Sequence, residues 1–122
     1  MIDHVSLVIS SLDRTLAFYR AALGPLGYEV VMQPAPGVAG MGANGKPDLW
    51  FAEKPDGVTT TNHLALVAGS RTTVDAFHAA ALAAGARDNG PPGVRPHYHP
   101  NYYAAFVLDP DGHNLEVVCH AP

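Results

Sequence analysis

Two stretches of the chain decide the fold, because the second stretch repeats the first. Residues 3–23 read DHVSLVISSLDRTLAFYRAAL, and residues 62–82 read NHLALVAGSRTTVDAFHAAAL. Aligned without a gap, His4 falls on His63, and identical residues recur along both copies. These identical pairs include Leu7 and Leu66, Val8 and Val67, Ser11 and Ser70, Phe18 and Phe77, and Leu23 and Leu82. Self-similarity at one fixed spacing is typical of a duplicated structural unit.

Each copy opens with the same pair of predicted elements. The short apolar runs at residues 3–9 and 63–68 predict buried strands. Apolar residues then recur every three or four positions, which predicts a helix after each strand. The predicted helix starts are Ser10 with Asp13 and Thr72 with Asp75, and the predicted helix ends are Gly24 or Gly27 and Gly85.

The remainder of each half predicts further strands joined by turns. Strands are predicted at residues 28–33, 48–52, 102–108 and 114–118, and a weaker one after Gly85. Residues 109–112 (DPDG) predict a tight turn, whereas residues 34–47 and 91–100 are expected to be irregular. The sequence therefore predicts one α+β domain, residues 1–122, built from two β-α-β-β-β modules at 1–57 and 58–122.

Composition narrows the classes of partner. The chain has 122 residues, a net charge of −4 and 48% hydrophobic residues. It has no basic stripe for nucleic acid and no apolar run of the ~20 residues that span a bilayer. A single cysteine, Cys119, forms no internal disulfide, which favours a reducing cytoplasm. A small-molecule partner remains the expectation.

Three side chains stand out as metal ligands. His4 and His63 open equivalent strands, so a pseudo-twofold axis would place them on one cleft. Glu116 is the only acid in an apolar last strand, and burial of a lone carboxylate is costly unless it is paired or binds a metal. Two imidazoles and a carboxylate suit Fe(II), Zn, Ni or Mn with open positions for substrate. Capping or core roles are the alternative for each histidine.

The layout and the closing motif resemble a known family. The two modules, the histidine that opens each, and residues 109–116 (DPDGHNLE) are similar to the vicinal oxygen chelate superfamily, which includes glyoxalase I, bleomycin resistance proteins and extradiol dioxygenases. The resemblance implies a partly open mixed barrel around a divalent metal on His4, His63 and Glu116. It also implies a homodimer, often with modules exchanged between chains.

One position departs from the glyoxalase I pattern. That enzyme has a fourth ligand, a glutamate, in the last strand of its first module, where this chain has Trp50. Asp48 and Glu53 lie on the same strand but not in register with the missing ligand. The three-ligand pattern is therefore closer to that of the extradiol dioxygenases.

Further candidates cluster around the Pro-rich segment at 91–100. We expect Arg95, His97, Tyr102 and Trp50 to contact substrate, and Glu116, His99 and Tyr103 to take part in proton transfer. Which of the adjacent rings, Tyr102 or Tyr103, faces the cleft stays open at this point, and an ordinary surface loop is the alternative for the whole segment.

Two functions from different classes fit these features. The first is a small divalent-metal-dependent enzyme, a lyase, isomerase or extradiol-type dioxygenase, that chelates an oxygenated small molecule. The second is a metal-free binding protein that sequesters an aromatic antibiotic or a similar molecule, as bleomycin resistance proteins do. The three convergent ligands favour the enzyme.

Overall fold

A computed structural model describes residues 1–122 as eight strands and two helices. We call the first half of these elements module 1 and the second half module 2. Module 1 contains β1 Val5–Ile9, α1 Leu12–Leu23, β2 Glu29–Ala35, β3 Val38–Gly42 and β4 Leu49–Glu53, with a 3-10 turn at Gly24–Leu26 after α1. Module 2 contains β5 His63–Val67, α2 Arg71–Ala83, β6 Arg87–Val94, β7 Tyr103–Leu108 and β8 Asn114–Cys119.

Each module forms its own four-stranded mixed sheet. The strand orders are β1-β4-β3-β2 and β5-β8-β7-β6, with the first pair of each sheet parallel and the others antiparallel. The registers are also equivalent, since Ser6 pairs with Trp50 as Ala65 pairs with Glu116. The predicted two-module α+β fold is confirmed, and the two sheets are not closed into a barrel. Neither helix is long and apolar enough to cross a membrane.

The helix starts differ by one or two residues from those predicted. The N-caps are Ser11 and Ser70, whose hydroxyls accept hydrogen bonds from the backbone N–H of Arg14 and Thr73. These two serines are an identical pair of the repeat, so the duplication preserved the cap itself. The predicted caps are displaced: Ser10 precedes the actual cap Ser11, and Thr72 follows the actual cap Ser70. Where several serines or threonines lie close together, the sequence does not show which hydroxyl caps the helix.

Two strands occupy segments that were predicted to be irregular. β3 lies within residues 34–47, and β6 runs into the Pro-rich segment as far as Val94. The small residues of these strands weaken the hydrophobic pattern from which a strand is predicted. The packing nevertheless requires small residues, as two glycines of β3 show. A Cβ on Gly40 would lie 2.9 Å from the Trp50 ring, and one on Gly42 would lie 1.8 Å from the Lys46 carbonyl oxygen. Close approach explains glycine in both places.

The core lies between the sheets and the two helices. Leu7 and Ile9 point inward from β1, while Ser6 and Val8 between them point away from the helices. The same alternation in β8 sends Leu115 and Val117 into the core and Glu116 to the opposite face. The helix-free face of each sheet, which we call its open face, therefore carries Glu116 in module 2 and the equivalent Trp50 in module 1.

The DPDGH segment joins the two modules. The Asp109 carboxylate accepts a 2.7 Å bond from the buried Tyr19 hydroxyl of α1, and Asp111 accepts bonds from the Ser10 hydroxyl and backbone N–H. The buried His113 ring donates from Nε2 to the Val8 carbonyl. Burial, and then the Asp109 charge, hold the pKa of Tyr19 well above its usual value. This motif stabilises the module junction.

Candidate functional site

A hydrogen-bonded centre lies on the open face of the module 2 sheet. β5 and β8 run parallel, with His63 opposite Asn114 and Ala65 opposite Glu116. Because paired residues point to the same face, all four side chains project away from the helices. The His63 ring then reaches across to the carboxylate two residues further along β8. We call His63, Glu116, Asn114 and Tyr102 the Glu116 centre.

Both oxygens of the Glu116 carboxylate have a hydrogen-bond donor. His63 Nε2 lies 2.8 Å from Oε2, and the Tyr102 hydroxyl donates to Oε1. Glu116 is 2% exposed, whereas the His63 side chain is half exposed. These two bonds therefore hold the carboxylate in one orientation, and the half-exposed imidazole lies on its solvent side. A buried acid in this setting needs such partners, since an unpaired charge would cost several kcal/mol.

Aromatic rings surround the centre. Phe106 is the register partner of Glu116 on β7, and its ring lies 6.2 Å from that of His63, edge to face. The guanidinium of Arg95 covers the Phe106 ring, with Cζ 5.4 Å from the ring centre. Gly90 lies opposite Phe106, and a Cβ there would come within 3.0 Å of the ring. The centre thus has an apolar, planar wall.

The adjacent tyrosines point to opposite faces. Tyr102 binds Glu116, whereas Tyr103 donates a 2.6 Å bond to Asp75 of α2 and lies under the Arg71 guanidinium. The alternation of side chains along a strand requires this division. Tyr103, which was expected to take part in proton transfer, therefore lies on the helix side and does not reach Glu116, whereas Tyr102 does. Burial and the bond to Glu116 raise the pKa of Tyr102 to about 12, which keeps its hydroxyl a donor.

Residues 95–102 form an ordered tip on the β6–β7 hairpin. The Arg95 N–H donates to the Tyr102 carbonyl at 2.7 Å and closes the tip, which has further turn bonds inside. Arg95 also donates from its two terminal nitrogens to the Gly93 and Pro91 carbonyls. Its charge therefore anchors the hairpin, and only its remaining N–H groups are available to a substrate.

The two histidines of the tip lie outside direct reach of Glu116. The His97 ring packs on Tyr98, which in turn packs on Tyr102. His99 accepts a bond from the Asn101 N–H and faces the ring of His120, which packs against Tyr102. Both histidines thus connect to the centre through one or two rings, and neither shares a hydrogen bond with Glu116.

The two module 1 candidates lie elsewhere. The His4 ring is 54% exposed and binds the neighbouring Asp3 carboxylate at 2.7 Å. It borders a cleft of about 200 Å³ between β1 and β5 that does not include Glu116. Trp50 is half-buried, packed on Gly40, and takes the register position that Glu116 takes in module 2. A single chain therefore does not bring His4 or Trp50 to the Glu116 centre.

Half of a metal site fits the Glu116 centre. Two ligands in adjacent positions, each ~2.1 Å from an ion, lie about 3 Å apart, and His63 Nε2 and Glu116 Oε2 are 2.8 Å apart. An imidazole and a carboxylate are also suitable donors. However, no group of three or more His, Cys, Asp or Glu side chains in the chain is placed to hold an ion. One chain therefore places two possible ligands together at this centre, not three.

Sequence reasoning missed Asn114, Phe106 and His120. Asn114 lies opposite His63 and bonds its ring, and the register of the last strand was the signal available for it. Phe106 follows from the same logic as the residue opposite Glu116. His120 follows β8 and packs on Tyr102, a contact that depends on the hairpin tip and has no local sequence signal.

The comparisons with known proteins agree with this architecture. Residues 1–117 match the model of the Glyoxalase/Bleomycin resistance protein/Dioxygenase superfamily. The chain belongs to this superfamily. The recognition made from the opening histidines and the DPDGHNLE motif is therefore confirmed over nearly the whole chain.

Solved structures of the superfamily share its fold. A glyoxalase/bleomycin resistance protein from Albidiferax ferrireducens T118 is 28% identical, with a TM-score of 0.80 and 98% of each chain covered. A glyoxalase-related enzyme from Fulvimarina pelagi is 23% identical, with a TM-score of 0.76 and 98% of this chain and 87% of that chain covered. Lactoylglutathione lyase from Agrobacterium tumefaciens is 19% identical, with a TM-score of 0.74 and 98% and 92% covered. No curated protein matches the chain in sequence.

Proposed function

We propose that the protein is a divalent-metal-dependent enzyme that acts on an oxygenated small molecule, as a homodimer in the cytoplasm. In this proposal His63 and Glu116 of one chain hold the ion, and His4 of a second copy completes the set. The observation that carries this proposal is the distance of 2.8 Å between two possible ligand atoms, His63 Nε2 and Oε2 of the buried Glu116 carboxylate. The metal, among Zn, Ni, Mn and Fe(II), is left to experiment.

Apolar surface on the two open faces supports the pairing of chains. Val8 in module 1 and Val67 in module 2 are 43% and 73% exposed, and both point away from the helices. They are an identical pair of the repeat, at equivalent places beyond His4 and His63. If the module 1 face of one chain covered the module 2 face of another, both valines would be buried and His4 would approach the Glu116 centre.

Each residue of the centre has a distinct task in this proposal. A bound divalent ion would polarise the substrate's oxygens and stabilise developing negative charge. Tyr102 keeps Glu116 Oε1 occupied and leaves Oε2 for the ion. Phe106 and the hairpin tip exclude water from one side. Proton transfer by Glu116 or by His99, and substrate contacts from Arg95, His97 and Trp50, remain predictions for the assembled dimer.

Metal analysis of protein purified without a histidine tag tests the proposal. We expect about one ion per chain and tight binding of at least one of the four metals by calorimetry. His63→Ala should abolish it. His78→Ala is the matched control, because His78 binds Asp88 and shares no hydrogen bond with His63 or Glu116. Stoichiometric binding that survives His63→Ala would contradict the assignment.

A metal-free binding function is the second candidate. The observation in its favour is that His63, Glu116 and Tyr102 already satisfy one another's hydrogen bonds without an ion. The rings of Tyr98, Tyr102 and Phe106 then offer stacking surface to a planar ligand. Binding of flat aromatic compounds that is unchanged by a chelator, together with the absence of metal in the purified protein, would favour this function over the enzyme.

A further inference from the structure

Asn114 bonds the ring nitrogen of His63 that faces away from Glu116. Its side-chain nitrogen lies 2.9 Å from His63 Nδ1, and its oxygen accepts a 3.2 Å bond from the amide of Asn89 on β6. On its other side the His63 ring faces the Glu116 carboxylate through Nε2. An ionised carboxylate only accepts hydrogen bonds, so in the neutral ring Nε2 donates and Nδ1 accepts. The Asn114 amide supplies the donor that this tautomer needs.

The opposite tautomer needs the opposite partner. When Nε2 of a histidine binds a cation, it has no proton, and Nδ1 carries the N–H instead. Nδ1 then requires an acceptor. A half-turn of the Asn114 amide exchanges its oxygen and nitrogen, which presents Oδ1 to the ring. Asn89 is exposed and its amide turns in the same way, so the bond between the two asparagines is kept.

We propose that Asn114, backed by Asn89, is a positioning residue that serves both tautomers of His63 by turning its side-chain amide. An aspartate at this position can only accept a hydrogen bond, and an aliphatic residue can neither donate nor accept one. The amide is the one group of this size that can both donate and accept. The proposal deepens the proposed function and rests on it for the cation-bound state. The metal-free state tests it independently.

The first experiment uses nitrogen-15 spectra of the His63 ring in metal-free protein, at a pH above the ordinary value of about 6.5 for histidine. In the unsubstituted chain Nδ1 should be unprotonated and Nε2 protonated. In Asn114→Asp the side chain that faces Nδ1 can only accept a hydrogen bond, so Nδ1 should carry the proton. A protonated Nδ1 in the unsubstituted chain, or an unprotonated one in Asn114→Asp, would overturn the proposal.

The second experiment is a calorimetric titration with Zn²⁺ alone. Asn114→Leu should bind about 10- to 100-fold more weakly, the usual loss when a residue that supports a metal-binding histidine is removed. Asn114→Asp keeps an acceptor for Nδ1–H and should bind at least as tightly as the unsubstituted chain. Asn101→Leu is the control, because Asn101 uses its backbone N–H to bond His99 and shares no hydrogen bond with His63, Glu116 or Asn114.

The outcomes separate the two proposals. If the unsubstituted chain binds no metal, the proposed function fails, and the nitrogen-15 spectra alone decide the role of Asn114. If it binds Zn²⁺ and Asn114→Leu binds equally well, the role of Asn114 is wrong while the metal site stands. If Asn114→Asp is as weak as Asn114→Leu, Asn114 has only a packing role, and the proposal is overturned as well.

Discussion

The two modules share one backbone plan but have built very different surroundings for the same histidine. In module 2, His63 is bonded on both ring nitrogens, to Glu116 and to Asn114. In module 1, His4 contacts only Asp3, and both side chains are more than half exposed. The register explains the difference, because Trp50 occupies in β4 the place that Glu116 occupies in β8.

This difference teaches that a duplication conserves packing more strictly than it conserves chemistry. The helix caps Ser11 and Ser70 are retained in both copies, since each helix needs one. A carboxylate on the open face has no such packing role, and the equivalent position of module 1 carries an indole instead. In the proposed function, the single histidine of module 1 becomes a ligand only when it meets His63 and Glu116 of a second chain.

Loss of Glu116 should have the largest effect, and it tests the asymmetry of the modules directly. Glu116→Gln keeps the shape and removes the charge, so metal binding should fall by more than the ~100-fold that removal of a supporting residue costs. Trp50→Phe, at the equivalent position in module 1, should leave the dissociation constant unchanged. Calorimetric titration with the metal found in the purified protein measures both. Equal losses would show that the two positions are functionally alike.

The junction between the modules should show the next largest effect. Tyr19→Phe removes the buried bond to Asp109 and should lower the free energy of unfolding by about 1.5–3 kcal/mol at neutral pH, the usual range for a hydrogen bond to a charged group. Urea unfolding measures this loss. Tyr98→Phe, at an exposed tyrosine, is the control and should be neutral.

The effect of Tyr19→Phe should also depend on pH in a defined direction. The folded-state pKa of Tyr19 lies above the unfolded value of about 10, chiefly because the ring is buried. The stability it contributes is therefore complete below about pH 10 and is lost as pH rises through the folded-state pKa. The gap between the two proteins should be constant below about pH 10 and narrow above it. A gap that widens there would contradict the account.

The pair of adjacent tyrosines should give a smaller effect. Tyr102→Phe removes the donor to Glu116 Oε1 and should weaken metal binding about 10-fold, at the lower end of the range for such supporting contacts. Tyr103→Phe loses a bond to Asp75 on the helix side and should leave metal binding unchanged. If Tyr103→Phe weakens binding as much as Tyr102→Phe, the division of the two faces is wrong.

The Asp3 carboxylate should have the smallest effect. Its pKa is lowered, first by the hydrogen bond from His4 and then by Lys46, but all three side chains are exposed. Asp3→Asn should therefore leave thermal unfolding unchanged, since surface ion pairs contribute little. A measurable drop in the unfolding temperature would show that module 1 holds His4 more firmly than the structure indicates.

The repeat predicted the fold well because both copies obey the same packing rules. Alternation and helical periodicity gave the strands and helices, and the aligned histidines gave equivalent strand starts. β3 escaped prediction because Gly40 and Gly42 carry no hydrophobic signal, although their missing side chains make room for Trp50 and for the backbone at Lys46.

The site was harder to predict, because its contacts depend on which face and which module a residue belongs to. His63 and Glu116, two of the three expected ligands, share a hydrogen bond, and the role of the set as ligands stays a prediction. The face of the sheet that each of Tyr102 and Tyr103 occupies depends on the alternation of side chains along the strand. Two adjacent tyrosines do not show which of them points to which face. Asn114 bears no sign of its role until the parallel register with β5 places it beside His63.

The central claim is that a site needs module 1 of one chain and module 2 of another, and mixing two inactive variants tests it most directly. His4→Ala chains and Glu116→Ala chains should each bind no metal at stoichiometric levels. After they are unfolded and refolded together in equal amounts, half of the dimers are mixed, and each mixed dimer has one intact site. The account predicts that about a quarter of the metal sites return. No recovery in a sample whose mixed dimers are demonstrated by mass spectrometry, or full metal binding by a monomer in sedimentation, would contradict it.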